Sequence, residues 1–144
     1  MILALFTVTT VHTVDVPESA YGHIANQVLE VTASSKVASI GQTEAVVRSY
    51  FEDIPIMIEV ARCESQFRHE LSDGSVLQGM VDPADTGVMQ INKRYHLETA
   101  VNLDIDVDTI EGNLEYARYL YDKSGTQPWS ASMPCWGNSL SANV

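Results

Sequence analysis

Apolar and polar side chains recur at helical spacing along residues 56–67, "IMIEVARCESQF". At 3.6 residues per turn the apolar members fall on two adjacent stripes, and the second stripe ends on an acid. The first stripe comprises Ile56, Val60, Cys63 and Phe67, and the second comprises Met57, Ala61 and Glu64. The pattern therefore predicts an amphipathic helix that carries Glu64 beside its apolar face, one turn above Val60 and Ala61.

The same helix carries a second acid in different surroundings. Glu59 falls on the polar side with Arg62 three residues later, which predicts an ordinary solvated ion pair. Glu64 has apolar neighbours instead, and burial disfavours the charged form of a carboxylate. We therefore expect the pKa of Glu64 to lie above its usual value, which makes this side chain a candidate proton donor near neutral pH.

Capping residues and helix breakers set the ends of two helices. Asp53 is the candidate N-cap of the helix that carries Glu64, and Pro55 falls in its first turn. A second helix is expected to begin near Asp108, which forms a capping pair with Glu111, and to end at Gly125.

The remaining segments carry weaker signals. Residues 71–92 contain three Gly, one Pro and the turn pairs Asp-Gly and Asp-Pro, which predicts a looped or hairpin segment. Residues 1–40 are interpreted as an appendage or a trimmed leader, with one helix over residues 20–31. The main domain is expected to span residues 41–144 and to be mainly α, with the hairpin segment as its small non-helical part.

Size and charge narrow the function classes. The chain has 144 residues, 45% apolar and 19% charged, as expected of one globular domain with its own core. The net charge of -11 argues against nucleic acid or an anionic membrane as the main partner, since the eight Lys and Arg residues are scattered.

The opening apolar run is too short to span a bilayer, and we expect no membrane insertion and a monomer. His69 and His96 have no partners at metal-ligand spacing, and we expect neither a metal nor a cofactor.

Cys63 and Cys135 are the two cysteines of the chain. A bond between them would close a loop of about 70 residues and stabilise the fold by roughly 4 kcal/mol in the chain-entropy treatment. It would also indicate an oxidising compartment and would tie the Glu64 helix to the C-terminal segment that bears Trp129. Two buried free thiols are the alternative.

Three blocks of sequence resemble a known family. In chain order "ARCESQF", "DTGVMQIN" and "EGNLEYARYLYDKSGTQPWSASMPCW" resemble the signature blocks of the lysozyme-like lytic transglycosylase (SLT domain) superfamily, to which the goose-type lysozymes are related. The resemblance covers residues 55–136. It implies a mainly α, α+β lysozyme-like fold with the hairpin segment beside an active-site groove. It also implies an extracytoplasmic enzyme that acts on peptidoglycan glycan strands, in the cell envelope, secreted or delivered by a phage.

The resemblance also assigns roles to single residues. Glu64 falls on the family's catalytic acid/base, and Gln90 falls on the Gln that lines the sugar groove. Asn92, two positions later, is a further candidate for substrate binding. Trp129 lies near the position of a groove Tyr in many members. Tyr116 is a second aromatic candidate for the groove wall on other grounds, because it lies off the apolar stripe that runs from Ile110 to Tyr121. The implied reaction is cleavage of the β-1,4 bond between N-acetylmuramic acid and N-acetylglucosamine.

The mechanism depends on whether a second carboxylate enters the site. Goose-type relatives can carry an Asp where this chain has Asn92, and an amide is neither base nor nucleophile. A transglycosylase route is therefore favoured, in which Glu64 alone donates a proton and then retrieves one from the sugar 6-hydroxyl as a 1,6-anhydro ring closes. Asp82 or Asp85 could instead restore a two-carboxylate hydrolase. A wall-binding module without catalysis is a further alternative.

A calcium loop is the rival interpretation of residues 104–115. Asp104, Asp106, Asp108 and Glu115 stand at positions 1, 3, 5 and 12 of such a loop, but position 6, normally Gly, is Thr109. A negatively charged helix N-terminus explains the same acids, because the helix dipole favours them there.

Overall fold

The computed structural model describes residues 39–139. The helix predicted over residues 20–31 lies outside this range. The described residues belong to one compact unit of the chain.

Residues 39–139 are mainly helical, with one small antiparallel sheet, so the prediction of a mainly α domain is confirmed. Residues 39–50 are helical and are called α1. The elements that follow are α2 (Pro55–Ser65), β1 (Asp85–Thr86), β2 (Ile91–Asn92), α3 (Lys93–Asn102), α4 (Ile110–Ser124), a 3-10 helix (Gln127–Ser132) and α5 (Met133–Trp136).

Helix α2 is the predicted helix that carries Glu64. Pro55 is its first residue, where a missing N–H costs nothing. The N-cap is Ile54 and makes no side-chain cap bond, so the prediction of Asp53 as the cap was wrong. The carboxylate of Asp53 instead accepts two hydrogen bonds from Arg118 of α4, at 2.7 and 2.8 Å, which ties the α1–α2 turn to α4. The polar side of α2 is as predicted, with Arg62 Nε 2.8 Å from Glu59 Oε2.

The predicted hairpin segment is present. Single antiparallel bridges join Glu70 to Val76 and Gln78 to Thr86. Strands β1 and β2 pair antiparallel, with Asp85 opposite Asn92. The segment thus folds back on itself twice and delivers residues 85–92 against the helices.

Helix α4 begins at a different cap from the one predicted. Thr109 is the N-cap, and its side chain accepts the N–H of Gly112. The carboxylate of Asp108 accepts from Thr86 Oγ1 at 2.8 Å and pairs with Lys93, which leaves it no role as the cap. Gly125 ends the helix as predicted.

A single hydrophobic cluster packs α1, α2, α4 and the C-terminal segment around residues 88–91. Its buried members are Val47, Phe51, Met57, Val60, Ala61, Phe67, Val88, Met89, Ile91, Ala100, Val107, Leu114, Tyr116, Ala117, Trp129 and Trp136. A disulfide between Cys63 and Cys135 joins α2 to α5, which confirms the predicted pairing. The residue before the candidate acid is thereby bonded covalently to the last helix of the described range.

Candidate active site

A cleft of about 450 Å³ opens between α2, the β1–β2 hairpin, α3 and the segment after α4. Its volume falls in the range of pockets that hold small ligands. The lining residues are Glu64, Asp85, Gln90, Ile91, Asn92, Tyr95, His96, Leu120, Ser124, Gln127, Pro128, Trp129 and Ala131. Most of the residues predicted for the site therefore meet in one cleft.

Glu64 lies half-buried at the C-terminal end of α2, next to the apolar face. Its Oε1 accepts a hydrogen bond from Ser132 Oγ at 2.6 Å. Burial raises the pKa of the Glu64 carboxyl, the Ser132 bond opposes that rise, and the negative charge of Asp85 adds to it. The raised pKa is the direction that the helical pattern predicted, and it favours a side chain that holds a proton closer to neutral pH.

Asp85 brings a second carboxylate into the cleft. It lies on β1 directly opposite Asn92, whose Nδ2 donates to Asp85 Oδ1 at 2.8 Å. The influence of its charge on the pKa of Glu64 indicates that the two carboxylates are electrostatic neighbours. The cleft therefore holds a Glu with a raised pKa together with an Asp held by an amide.

Asn92 uses its whole side chain to organise this wall. Its Nδ2 donates to Asp85 and, at 3.0 Å, to Asp82 Oδ2. Its Oδ1 accepts the N–H of Arg94, which makes Asn92 the N-cap of α3. Asn92 lines the cleft, as expected of a substrate-binding residue, but both amide hydrogens already hold carboxylates. Its main effect is to position Asp85.

Asp82 supports the hairpin from outside the cleft. Its carboxylate accepts from the N–H of Ala84, from Asn92 and from Arg94. These bonds, led by the one from the Ala84 backbone, lower the pKa of Asp82. Asp82 is not among the lining residues, so of the two candidate second carboxylates only Asp85 faces the site.

Gln90 lines the cleft in an uncommon backbone conformation. Its φ is 50°, and its Nε2 donates to the carbonyl of Gly87 at 2.8 Å. A left-handed conformation costs a non-glycine residue of order 1–3 kcal/mol and often marks a functional site. Gly87 itself has φ 70°, and a Cβ there would lie 2.5 Å from Asn113 Nδ2. The turn that presents Gln90 thus requires glycine at position 87.

Two buried polar side chains lock this turn from behind. Asn113 Oδ1 accepts the N–H of Met89, and its Nδ2 donates to the carbonyls of Thr86 and Val107. His69 Nδ1 accepts the N–H of Val88, while its Nε2 lies 3.0 Å from the carbonyl of Asp108. Neither residue was predicted as part of the site. The signal available for Asn113 was its place three residues after Ile110 and next to Leu114 on the apolar stripe of α4, where an amide is expected to need hydrogen-bond partners.

Of the two aromatic candidates for the groove wall, one lines the cleft and the other does not. The indole of Trp129 lines the cleft but is 4% exposed, and its Nε1 donates to the carbonyl of Met89 at 2.9 Å. Trp129 thus anchors the turn that bears Gln90. Tyr116 is 1% exposed and is not among the lining residues, so its assignment to the groove wall was wrong. Its ring packs in the core, 5.6 Å from the ring of His96.

Helix α3 contributes residues that the sequence did not predict for the site. Tyr95 and His96 line the cleft, and Tyr95 is 72% exposed. Burial lowers the pKa of His96, which favours a neutral ring at the cleft wall. The available signal was Asn92, a good N-cap three and four positions before Tyr95 and His96.

Asp106 and Asp108, two of the acids of the candidate calcium loop, have structural partners. Asp106 Oδ1 accepts the N–H of Asp108, whose own carboxylate faces Thr86 and Lys93. Within residues 39–139 there is no group of three or more His, Cys, Asp or Glu side chains placed to hold a metal ion. The same residues contain no helix long and apolar enough to cross a membrane.

Comparisons of the chain with protein-family models, with curated proteins and with solved structures found no match. Side chains from all three sequence blocks line the cleft.

Proposed function

We propose that this protein cleaves the β-1,4 glycosidic bond between N-acetylmuramic acid and N-acetylglucosamine in peptidoglycan, with Glu64 as the proton donor. The observation that carries the proposal is the pair of unlike carboxylates in one cleft, one half-buried with a raised pKa and one held by an amide. Further support comes from the three blocks with family resemblance, which all contribute side chains to that cleft.

Glycosidic cleavage needs a protonated acid at the leaving oxygen, because an alkoxide is a poor leaving group. A carboxyl whose pKa is raised by burial supplies that proton near neutral pH. Glu64 meets this requirement, and none of the ion pairs within residues 39–139 includes it. No cation among those pairs therefore stabilises its charged form.

The position of Asp85 favours hydrolysis over the transglycosylase route. In two-carboxylate glycosidases the second group attacks the sugar or takes a proton from water. Asp85 supplies a second carboxylate to the lining of the cleft, and its hydrogen bond from Asn92 fixes the orientation of the group. The reaction then consumes one water and leaves a reducing N-acetylmuramic acid end. In the transglycosylase route Glu64 acts alone, and the product ends in a 1,6-anhydro ring.

An extracytoplasmic location belongs to the same proposal, because peptidoglycan lies outside the cytoplasmic membrane. The Cys63–Cys135 disulfide supports it, since such bonds persist in oxidising compartments.

Mass spectrometry of digested peptidoglycan tests the proposal. Purified sacculi are incubated with the wild-type protein, and the muropeptides are analysed with and without borohydride reduction. Reducing ends support hydrolysis, whereas 1,6-anhydro ends would replace it with the transglycosylase route. Binding to sacculi without release of any muropeptide would contradict the enzyme and favour a wall-binding module.

A further inference from the structure

Ser132 contacts the candidate acid through its hydroxyl. Its Oγ lies 2.6 Å from Glu64 Oε1, yet Ser132 is not among the residues that line the cleft. It stands at the end of the 3-10 helix, 68 positions from Glu64 along the chain. The bond thus joins α2 to the C-terminal segment at the functional carboxyl itself.

The hydroxyl of Ser132 is oriented by a tryptophan. Trp136 Nε1 donates to Ser132 Oγ at 2.9 Å and also lies 3.1 Å from the carbonyl of Trp129. Because the serine oxygen receives this hydrogen, its own O–H must point at another acceptor. The two acceptors in reach are Glu64 Oε1 at 2.6 Å and the Trp129 carbonyl at 3.1 Å. The Ser132 O–H is therefore assigned to Glu64, because that contact is the shorter one and because the Trp129 carbonyl already accepts from Trp136 Nε1.

We propose that Ser132, oriented by Trp136, is a positioning residue that occupies Oε1 of Glu64 and so directs the acid proton onto Oε2. A carboxyl carries its proton on one oxygen, and Oε1 is already the acceptor of a hydroxyl hydrogen. Within residues 39–139 no hydrogen bond reaches Oε2. The proton is therefore carried on the oxygen left open for a leaving group in the cleft. This inference rests on the proposed function, in which Glu64 is the donor.

The hydrogen-bonded pair of Ser132 and Trp136 is also attached to the disulfide. Cys135 lies between Ser132 and Trp136 along the chain and is bonded to Cys63, the neighbour of Glu64. The contact between Ser132 and Glu64 is thus fixed at both ends. This suits a carboxyl group that must be held within a fraction of an ångström.

The experiment compares Ser132→Ala with wild type by two independent readouts. The first is titration of the Glu64 carboxyl by carbon NMR in the protein without substrate. The second is the pH dependence of kcat on purified peptidoglycan. Because the Ser132 hydrogen bond lowers the pKa of Glu64, its loss is expected to move the Glu64 titration and the basic limb of the kcat profile to higher pH. Ser130→Ala, an exposed serine in the same 3-10 helix, is the matched control and should move neither.

Unmoved titration and an unmoved pH profile in Ser132→Ala would overturn the positioning role. If that variant does not fold, Ser132→Thr must retain the wild-type titration and Trp136→Phe must move it upward; the opposite pattern overturns the inference. Absence of lysis by wild-type protein would contradict the proposed function alone, since the NMR titration still decides whether Ser132 controls Glu64.

Discussion

Glu64 and Asp85 line one cleft, but the fold holds them by different means. Glu64 belongs to an eleven-residue helix whose buried face surrounds it with apolar side chains, and a disulfide begins at the preceding residue. Asp85 belongs to a two-residue strand and is held by Asn92 and by a turn with left-handed backbone at two positions. We call these regions the helix side and the hairpin side.

The difference follows from what each carboxyl is proposed to do. A carboxyl that donates a proton near neutral pH needs a raised pKa. A packed helix face raises the pKa because it removes water from the charged form. A second carboxylate needs a fixed orientation, which the hydrogen bond from Asn92 provides on a hairpin whose turn is anchored in the core by Val88, Met89 and Ile91. The helix side should therefore respond to changes in packing and covalent attachment, and the hairpin side to changes in hydrogen bonding and backbone conformation.

Asp85→Asn tests the chemistry of the hairpin side. The amide keeps an oxygen for the hydrogen bond from Asn92 but cannot act as a base or nucleophile, so hydrolysis should fall roughly 10²–10⁴-fold. The rate of release of reducing ends from peptidoglycan measures the loss. Asp82→Asn, outside the cleft on the same hairpin, is the matched control and should retain most of the activity. Equal rates for Asp85→Asn and wild type would remove Asp85 from the mechanism.

Replacing both cysteines with serine tests the covalent attachment of the helix side. Cys63 and Cys135 are 72 positions apart, so the variant should lose about 2–5 kcal/mol of unfolding free energy. Urea unfolding with and without reductant measures the effect, and wild type in reductant should match the double variant. An unchanged midpoint would show that non-covalent packing alone holds α5 against α2.

Gly87→Ala tests the backbone of the hairpin side against a matched glycine. Gly74 has a similar positive φ of 82° but open space around it, so Gly74→Ala should cost only the strain of a left-handed alanine, about 1–2 kcal/mol. Gly87→Ala adds a collision with Asn113 and should cost roughly 1–3 kcal/mol more. Thermal unfolding of both variants gives the difference. Equal losses would mean that Asn113 moves aside without cost.

The smallest expected effect is a pH-dependent gain in stability from Glu64→Gln. The folded-state pKa of Glu64 is raised from 4.5, so its contribution to stability is complete below pH 4.5 and is lost as the pH rises through the folded value. The glutamine does not ionise, and the variant should therefore gain stability over wild type across that window and keep the gain at higher pH. Urea unfolding at several pH values measures it.

The control for this prediction is Glu59→Gln, the same charge change on the polar side of α2. A gain of equal size in Glu59→Gln would assign the effect to net charge instead of burial. A loss of stability in Glu64→Gln above pH 4.5 would contradict the raised pKa.

The helix side was largely predictable because its signals are local. Helical spacing of apolar residues gave α2 and the position of Glu64 on it, and Pro55 marked its first residue. Gly125 likewise marked the end of α4. The disulfide was predictable because the chain offers one possible pair.

Other features depend on contacts that no local pattern encodes. Helix α3 was missed because it buries only Ala100 and leaves Tyr95, Leu97 and Val101 exposed, which removes the expected apolar stripe. Tyr116 was misplaced because α4 is packed on more than one face, so lying off the main stripe does not imply exposure. The Ser132 bond to Glu64 spans 68 positions and exists only once the C-terminal segment has docked on α2.

The central claim is that Glu64 supplies the proton for glycosidic cleavage, and its most direct test is the release of soluble muropeptides from purified peptidoglycan by wild type, Glu64→Gln and Glu59→Gln. Glu64→Gln keeps the shape and the hydrogen bond from Ser132 but has no acidic proton, so its rate should fall at least about 10²-fold. Glu59→Gln should release muropeptides at the wild-type rate. Release by Glu64→Gln as fast as by wild type would contradict the account.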